Sequence, residues 1–234
     1  MDKVEPEKIE WLDKLMEDID YYANKVWYPC FIRTGQTSDK HSWDDTCYLK
    51  SKEDIVKHLY FLAETSYMAN IMLPRKMDTI VIRKMLTTKP LFYSFNNMPI
   101  TKEVRCFIET ENGKRKIYMT SYWPLEAFNK WENSSLVGIF QDEIKDDFMM
   151  NYIINENWQK EKITLDQIKE VLKETYILTD DDKNFFKSIL LYLSERIEND
   201  WSIDFLQDIN WEWYCIDMAL AENSYKNTEI ISLK

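Results

Sequence analysis

The chain has 234 residues, enough for one large domain or two small lobes. Hydrophobic residues make up 45% of it and aromatics 15%, which supports a packed core and excludes a disordered chain. The net charge of -11 disfavours nucleic acid and anionic membrane as partners of the whole surface, although a local basic cleft can coexist with it, and no run approaches the roughly 20 apolar residues that span a bilayer.

The N-terminus, MDKVEPEKIEW, is charged and lacks the apolar core of a signal peptide. Residues 5–27 read as a helix, with Pro6 in the first turn and Leu12, Leu15, Ile19, Tyr22 and Val26 on one stripe. Residues 28–34 read as a strand ending near Arg33, followed by a polar loop, 35–45, that carries Lys40, His41 and Trp43. Such a loop is a solvated surface segment or a cover over phosphates. Residues 51–72 form a second helix, with Ser51 as its cap and His58 as a structural residue beside the apolar face. TIVIRKML, 79–86, is β-rich. Its adjacent cations Arg83 and Lys84 must point to opposite faces, so one faces a cleft unless the strand is a charged edge.

Residues 87–102 read as a loop with two prolines. EVRCFIET, the ENGK turn and RKIYMTSYW then make a hairpin. Val104, Cys106 and Ile108 form its apolar row. Glu103, Arg105, Phe107 and Glu109 form a mixed row, with Lys116 on the partner strand, that is either a solvated face with a cross-strand ion pair or the wall of a charged site. Residues 124–200 read as mostly helical, with a capping box at Thr164 and Gln167 and an apolar stripe through Phe185, Phe186, Ile189, Leu190, Leu193 and Ile197. The tail after Tyr225 is polar and is expected to fray.

Residues 201–225 read as two short strands with Asp204 and Asp217 set among apolar and aromatic neighbours. A carboxylate there is costly to bury without a partner, and a divalent metal is one such partner; two exposed acids at strand ends is the other reading. A two-residue loop at Ile209 and Asn210 puts both acids on one face, whereas a three-residue loop puts them on opposite faces. The four cysteines show no CxxC pair, and buried free thiols in a reducing cytoplasm are the expectation. With only Gly35, Gly113 and Gly138, neither a Walker loop nor a GxGxxG fingerprint exists, so a nucleotide's phosphates would have to be held by side chains.

Taken in order, FIRTGQTSDKHSW, IVIRKML, FNNMPITKEVRCFIE and WSIDF…WYCIDMA resemble the ATP-grasp superfamily. More narrowly, they resemble its phage and bacterial clade with paired basic residues, related to the eukaryotic cell-division-cycle family that assembles an initiation factor. The resemblance implies an α+β fold of two lobes with antiparallel sheets flanked by helices, divided as 1–86 and 87–234 with the helical stretch as an insert, and gripping ATP. Arg33, Lys40, Arg83, Lys84, Glu103, Arg105 and Lys116 would line the nucleotide. Lys40 would lie over the phosphates and Arg105 would contact the transferring group, which makes these two the catalytic candidates. Asp204 and Asp217 would hold magnesium. The superfamily's second metal strand carries Glu-x-Asn, whereas here Asp217, Met218 and Ala219 stand there and Glu222 and Asn223 follow as further candidates.

The implied activity is a carboxylate–amine type ligase in the cytoplasm (a host cytoplasm for a phage protein), acting on a small molecule, peptide or protein. A non-catalytic ATP-binding assembly or interaction protein is the alternative.

Overall fold

The computed structural model describes residues 10–35, 40–72, 79–129, 150–175, 177–227 and 230–231. The fold is α+β, with antiparallel sheets flanked by helices. It divides into two compact units, one of Met1–Leu86 with Phe95–Met98 and one of Thr87–Ser94 with Pro99–Lys234.

In the first unit, α1 (Glu10–Val26) and α2 (Ile55–Met72) pack on a three-stranded sheet of β1 (Cys30–Thr34), β2 (Tyr48–Leu49) and β3 (Ile80–Lys84), in the order β2-β1-β3. Trp27, left-handed at φ 67°, ends α1 in the place a glycine ordinarily takes. Ile19 and Ala23 of α1, Ile55 and Leu62 of α2, and Cys30, Ile32 and Leu49 of the sheet make the core. Of the expected stripe of α1, Leu15, Ile19 and Val26 pack on the core, but Tyr22 is 55% exposed and Ala23 takes the buried place beside it. Residues 5–9, with Pro6, lie outside the described residues. His58 is buried with its Nδ1 2.7 Å from the Thr46 carbonyl; burial lowers its pKa, which fits a neutral packing residue.

The second unit contains a five-stranded sheet in the order β11-β10-β6-β7-β12 and a four-stranded sheet in the order β5-β4-β8-β9. β6 (Glu103–Glu111) and β7 (Lys114–Ser121) are the expected hairpin, turned at Asn112 and Gly113, both with positive φ. β10 (Trp201–Gln207) and β11 (Trp213–Leu220) form the second hairpin. β12 (Ile230–Ile231) pairs with Met119 and Thr120 of β7, so part of the tail expected to fray closes the sheet instead.

The loop expected over 87–102 contains β4 (Phe92–Ser94) and β5 (Met98–Ile100). Their turn passes through three left-handed residues, Phe95, Asn96 and Asn97, and the asparagine amides reach Asp45 and Asp44 at 2.8 Å each, so side-chain bonds hold a backbone that local propensity does not announce.

The stretch expected to be helical is only partly so. α3 (Glu126–Asn129), α4 (Leu165–Thr175) and α5 (Asp180–Ser194) are helices, but β8 (Tyr152–Ile154) and β9 (Lys160–Lys162) form a hairpin. Asn155 builds its turn by accepting the amides of Asn157 and Gln159 at 3.0 Å through one side-chain oxygen. Residues 130–149 of that stretch lie outside the described residues. The Thr164–Gln167 capping box is present, with the Gln167 amide 3.3 Å from the Thr164 hydroxyl and the Thr164 amide 2.8 Å from the Gln167 side chain.

α5 packs on the apolar face of the five-stranded sheet, where Phe186 and Leu190 meet Val104, Cys106, Met119, Ile203 and Phe205. A second capping box, Thr179 with Asp182, starts α5, and Asp182 also accepts the indole N–H of Trp213 at 2.6 Å. Burial alone would raise the Asp182 pKa, but the donors from Trp213 and Thr179 hold it below its ordinary 3.8. A depressed folded pKa contributes stability that is complete above the unfolded value and lost as pH falls through the folded one. The stability gap between the protein and Asp182→Asn, read from urea denaturation near neutral pH and again below 3.8, is therefore expected to narrow in acid. A gap that does not change with pH would remove Asp182 from the acid response.

Candidate functional site

Side-chain alternation sets the two faces of each sheet. In the first unit, Cys30, Ile32 and Thr34 turn to the core, and Phe31 and Arg33 turn away from it. Phe31 pairs with Arg83 and Arg33 with Val81, so Arg33 and Arg83 are diagonal neighbours on one face. Trp43 lies on that face, 5.9 Å from the Phe31 ring and stacked on Tyr48. Lys84 points to the other face, its ammonium 5.6 Å from the Trp27 ring. β3 is an edge strand, and both of its cations are exposed. Lys40 opens a 3-10 turn, Lys40–Ser42, and the neighbouring His41 stacks on Phe95 at 4.6 Å.

The second unit carries the other candidates. Across the five-stranded sheet, Asp217 pairs with Asp204, Asp204 with Arg105, and Arg105 with Thr120. These four side chains form one row on the face opposite the apolar core. Arg105 grips Asp204 bidentately, Nε to Oδ1 at 2.7 Å and Nη2 to Oδ2 at 2.9 Å. The pair is nearly dry, with 14% of the Arg105 side chain and 7% of Asp204 exposed. The guanidinium also lies 4.6 Å from the centre of the Tyr122 ring. Burial works against the Arg105 charge, yet the hydrogen bond and charge of Asp204 carry its pKa above the ordinary value. Glu103 adds negative charge nearby, and its own carboxylate, 7% exposed, accepts from the Thr101 hydroxyl at 3.2 Å.

The juxtaposition of the two acids depends on a β-bulge. The turn after β10 has three residues, 209–211, closed by the Asp208 amide on the Glu212 carbonyl at 2.9 Å. Asp208 shapes it by accepting the Asn210 and Glu212 amides, and Trp211 takes the left-handed position, φ 68°. A three-residue turn pairs Phe205 with Cys215 and alone would leave Ile216 opposite Asp204. The register shifts by one between Asp204 and Phe205, so Asp217 comes opposite Asp204 instead. The parity lost at the turn is regained at the bulge.

The remaining candidates lie apart from this row. Lys116 shares its face but pairs with Glu109, four positions from the Arg105–Thr120 pair, which is about 13 Å along a strand. Its ammonium meets Glu111 at 3.0 Å. Glu222 and Asn223 are exposed in a 3-10 turn, Ala221–Asn223, beyond the end of β11. No group of three or more His, Cys, Asp or Glu side chains suited to one ion occurs among the described residues, so Glu222 is not gathered with Asp204 and Asp217. The cysteines are free, with Cys30, Cys47 and Cys106 buried and Cys215 exposed, and burial pushes the Cys30 thiol up to about 11. No helix among the described residues is long and apolar enough to cross a membrane.

Sequence reasoning missed Thr120 and Tyr122, which flank Arg105. Their hairpin register, countable from the Asn112 and Gly113 turn, was the available signal.

No family model matches the chain, and no curated protein matches it. Similar solved structures include the biotin carboxylase domain of 2-oxoglutarate carboxylase from Hydrogenobacter thermophilus, in complex with MgADP, ADP and bicarbonate, at 8% identity over 87% of this chain and 33% of that one, TM-score 0.43. The ADP complex of N5-carboxyaminoimidazole ribonucleotide synthetase matches at 11% identity over 89% and 37%, TM-score 0.37. D-alanyl-alanine synthetase A from Vibrio cholerae matches at 12% identity over 91% and 46%, TM-score 0.37. The chain thus spans between a third and just under half of the length of these proteins.

Proposed function

We propose that this chain is a Mg-ATP-binding protein of ATP-grasp type, with the two units as its lobes, that activates a carboxylate with ATP for attack by an amine or another nucleophile. The observation that carries the reading is the row Asp217, Asp204, Arg105 across three neighbouring strands. Phosphoryl transfer asks for positioning and charge neutralisation more than for covalent help. A row of two acids and a dry, bidentate arginine supports that reading.

The donor set fits magnesium, which takes one or two carboxylates and fills its remaining positions with water and phosphate oxygens. Asp204 and Asp217 would hold it; each oxygen of Asp204 has a lone pair beyond the one Arg105 uses. When bound, the ion would neutralise charge on the triphosphate. Arg105 would orient the transferring group, with its own direction fixed by Asp204 and Tyr122. Arg33 and Arg83 share a face and would receive phosphate oxygens, with Lys40, in its own 3-10 turn, as a further candidate. Lys84 points to the other side of its strand, and Lys116 is already paired with Glu111; these two, with the exposed Glu222 and Asn223, have the least support. Three buried free thiols suit a reducing cytoplasm.

A second reading, ATP held without turnover by a protein that acts on a protein partner, is favoured by one observation: both oxygens of Asp204 are engaged by Arg105, and the acids form a pair without a third ligand among the described residues.

Calorimetric titration with magnesium and a non-hydrolysable ATP analogue tests the common core of both readings. Saturable, magnesium-dependent binding is expected, and Asp217→Asn is expected to weaken it while sparing the fold, because Asp217 is half-buried on the edge strand. Absence of binding by the intact protein sinks both readings. ADP release with candidate acceptors then separates ligase from holder.

A further inference from the structure

The face that bears the Asp217–Asp204–Arg105 row is crossed by the chain's own C-terminal segment. β11 lies at one edge of the five-stranded sheet and β12 at the other. Between them, residues 224–226 contact β10 and β6. The Ser224 hydroxyl sits 2.5 Å from that of Ser202 on β10. The Tyr225 carbonyl accepts from Arg105 Nη1 on β6 at 3.2 Å. Lys226 pairs with Glu109 on β6, with its ammonium 5.8 Å from the Phe107 ring. Ser202, Arg105, Phe107 and Glu109 all belong to the face away from the core.

We infer that residues 224–227 and β12 form a displaceable strap, which occupies the phosphate-facing edge of Arg105 when closed and yields it to the nucleotide's phosphates when open. The inference rests on the nucleotide reading above.

Three observations support it. First, the strap satisfies the only guanidinium nitrogen that Asp204 leaves: Nε and Nη2 are spent on Asp204, and Nη1 on Tyr225. A phosphate oxygen approaching that edge replaces a neutral carbonyl with an anion, and the charge-assisted bond is the stronger one. Second, the described attachments are the kind that open first. They include a two-residue ladder, a hydroxyl contact, an ion pair whose lysine is 49% exposed, and a bond from Arg105 to the carbonyl of Tyr225, itself 55% exposed. Third, the closed arrangement leaves a polar group unsatisfied. Thr120 Oγ1, next to Arg105 in the row and opposite Ile230 of β12, is fully buried without a hydrogen-bond partner among the described residues. Such a group destabilises the state that contains it, and opening relieves it.

The test compares the protein with Lys226→Ala/Ile230→Pro. That variant removes the ion pair and the strap's ladder, while Ile230, 64% exposed, gives up little packing. Both are titrated with magnesium and a non-hydrolysable ATP analogue. The variant is expected to bind about 5-fold to 150-fold more tightly, the usual range of coupling between two linked events. By reciprocity, the analogue is expected to accelerate amide hydrogen exchange at residues 224–227 and 230–231 of the unmodified protein, a measurement that stands even if the variant fails to fold. Equal affinity of the two proteins, or strap exchange that the analogue leaves unchanged or slows, overturns the strap and leaves the nucleotide reading standing. No binding by either protein overturns both.

Discussion

Asp204→Ala is expected to destabilise the protein by about 3 kcal/mol, the lower end of the range for removing one partner of a buried ion pair. The reason is the charge left behind. Arg105 is 14% exposed at its side chain and spends two of its nitrogens on Asp204, so alanine strands a guanidinium without its bidentate partner. The Tyr122 ring and the Tyr225 carbonyl still face it and keep the loss from reaching the top of the range. Asp217 works in the same direction: it stands directly opposite Asp204, and like charges so placed repel, which the substitution relieves. Replacing both members, Arg105→Met with Asp204→Leu, is expected to recover most of the loss, because desolvation of two charges offsets much of their attraction. Guanidinium denaturation of the two single variants and the double one gives the cycle. A loss below about 1 kcal/mol for Asp204→Ala would mean that solvent screens the pair as it does at a surface.

That pair shows where a sequence can be read and where it cannot. The β6–β7 hairpin was legible because an Asn-Gly turn fixes its register, and from register follow the apolar row of Val104, Cys106 and Ile108 and the mixed row of Glu103 and Arg105. The acids on β10 and β11 were legible as residues, but their relation was not. It depends on two offsetting irregularities: a three-residue turn that Asp208 and Trp211 create, and a bulge next to Asp204. Neither has a compositional mark, since Ile209 is an ordinary strand residue and Trp211 an unusual left-handed one. The β4–β5 and β8–β9 hairpins were hidden for a related reason. Asn96, Asn97 and Asn155 bend the backbone through specific side-chain bonds, whereas a periodicity argument sees only short polar stretches. β12 was hidden because a two-residue strand has no period at all. Its place depends on β7 offering an edge. The helices were more legible, through the cap at Thr164 and stripe residues such as Phe186, although Ser51 makes no side-chain cap bond, a 3-10 turn over Lys52–Asp54 precedes α2, and Tyr22 and Phe185 of the expected stripes are exposed.

Phe186→Ala is expected to destabilise by about 3–5 kcal/mol, the range for truncating a fully buried phenylalanine. Phe186 has no solvent exposure and sits where α5 meets the sheet, with ring centroids 5.3 Å from Phe205 and 4.8 Å from Trp213, both edge-on. Edge-on aromatic pairs contribute about 0.5–1.5 kcal/mol beyond their buried area, and Phe186 also meets the Phe185 ring edge-on at 5.2 Å, so the lost pairs place this position in the upper half of the range. Its neighbour Phe185 is the internal control. It is 40% exposed, meets Phe205 at the longer distance of 6.3 Å and shares its 5.2 Å pair with Phe186, which either substitution removes. Phe185→Ala is therefore expected to lose less than half as much, and guanidinium midpoints of the two variants measure the difference directly. The consequence extends to the candidate site. Trp213 begins β11, and its anchors include the Phe186 ring and the Asp182 carboxylate, with the Lys102 ammonium 5.6 Å from its ring. A cavity at Phe186 removes one of them four residues before Asp217. A folded Phe186→Ala protein should then exchange its β11 amides faster than those of β6, whose pairing with β7 does not pass through α5. Equal losses for Phe185→Ala and Phe186→Ala would mean that α5 does not dock through this ring.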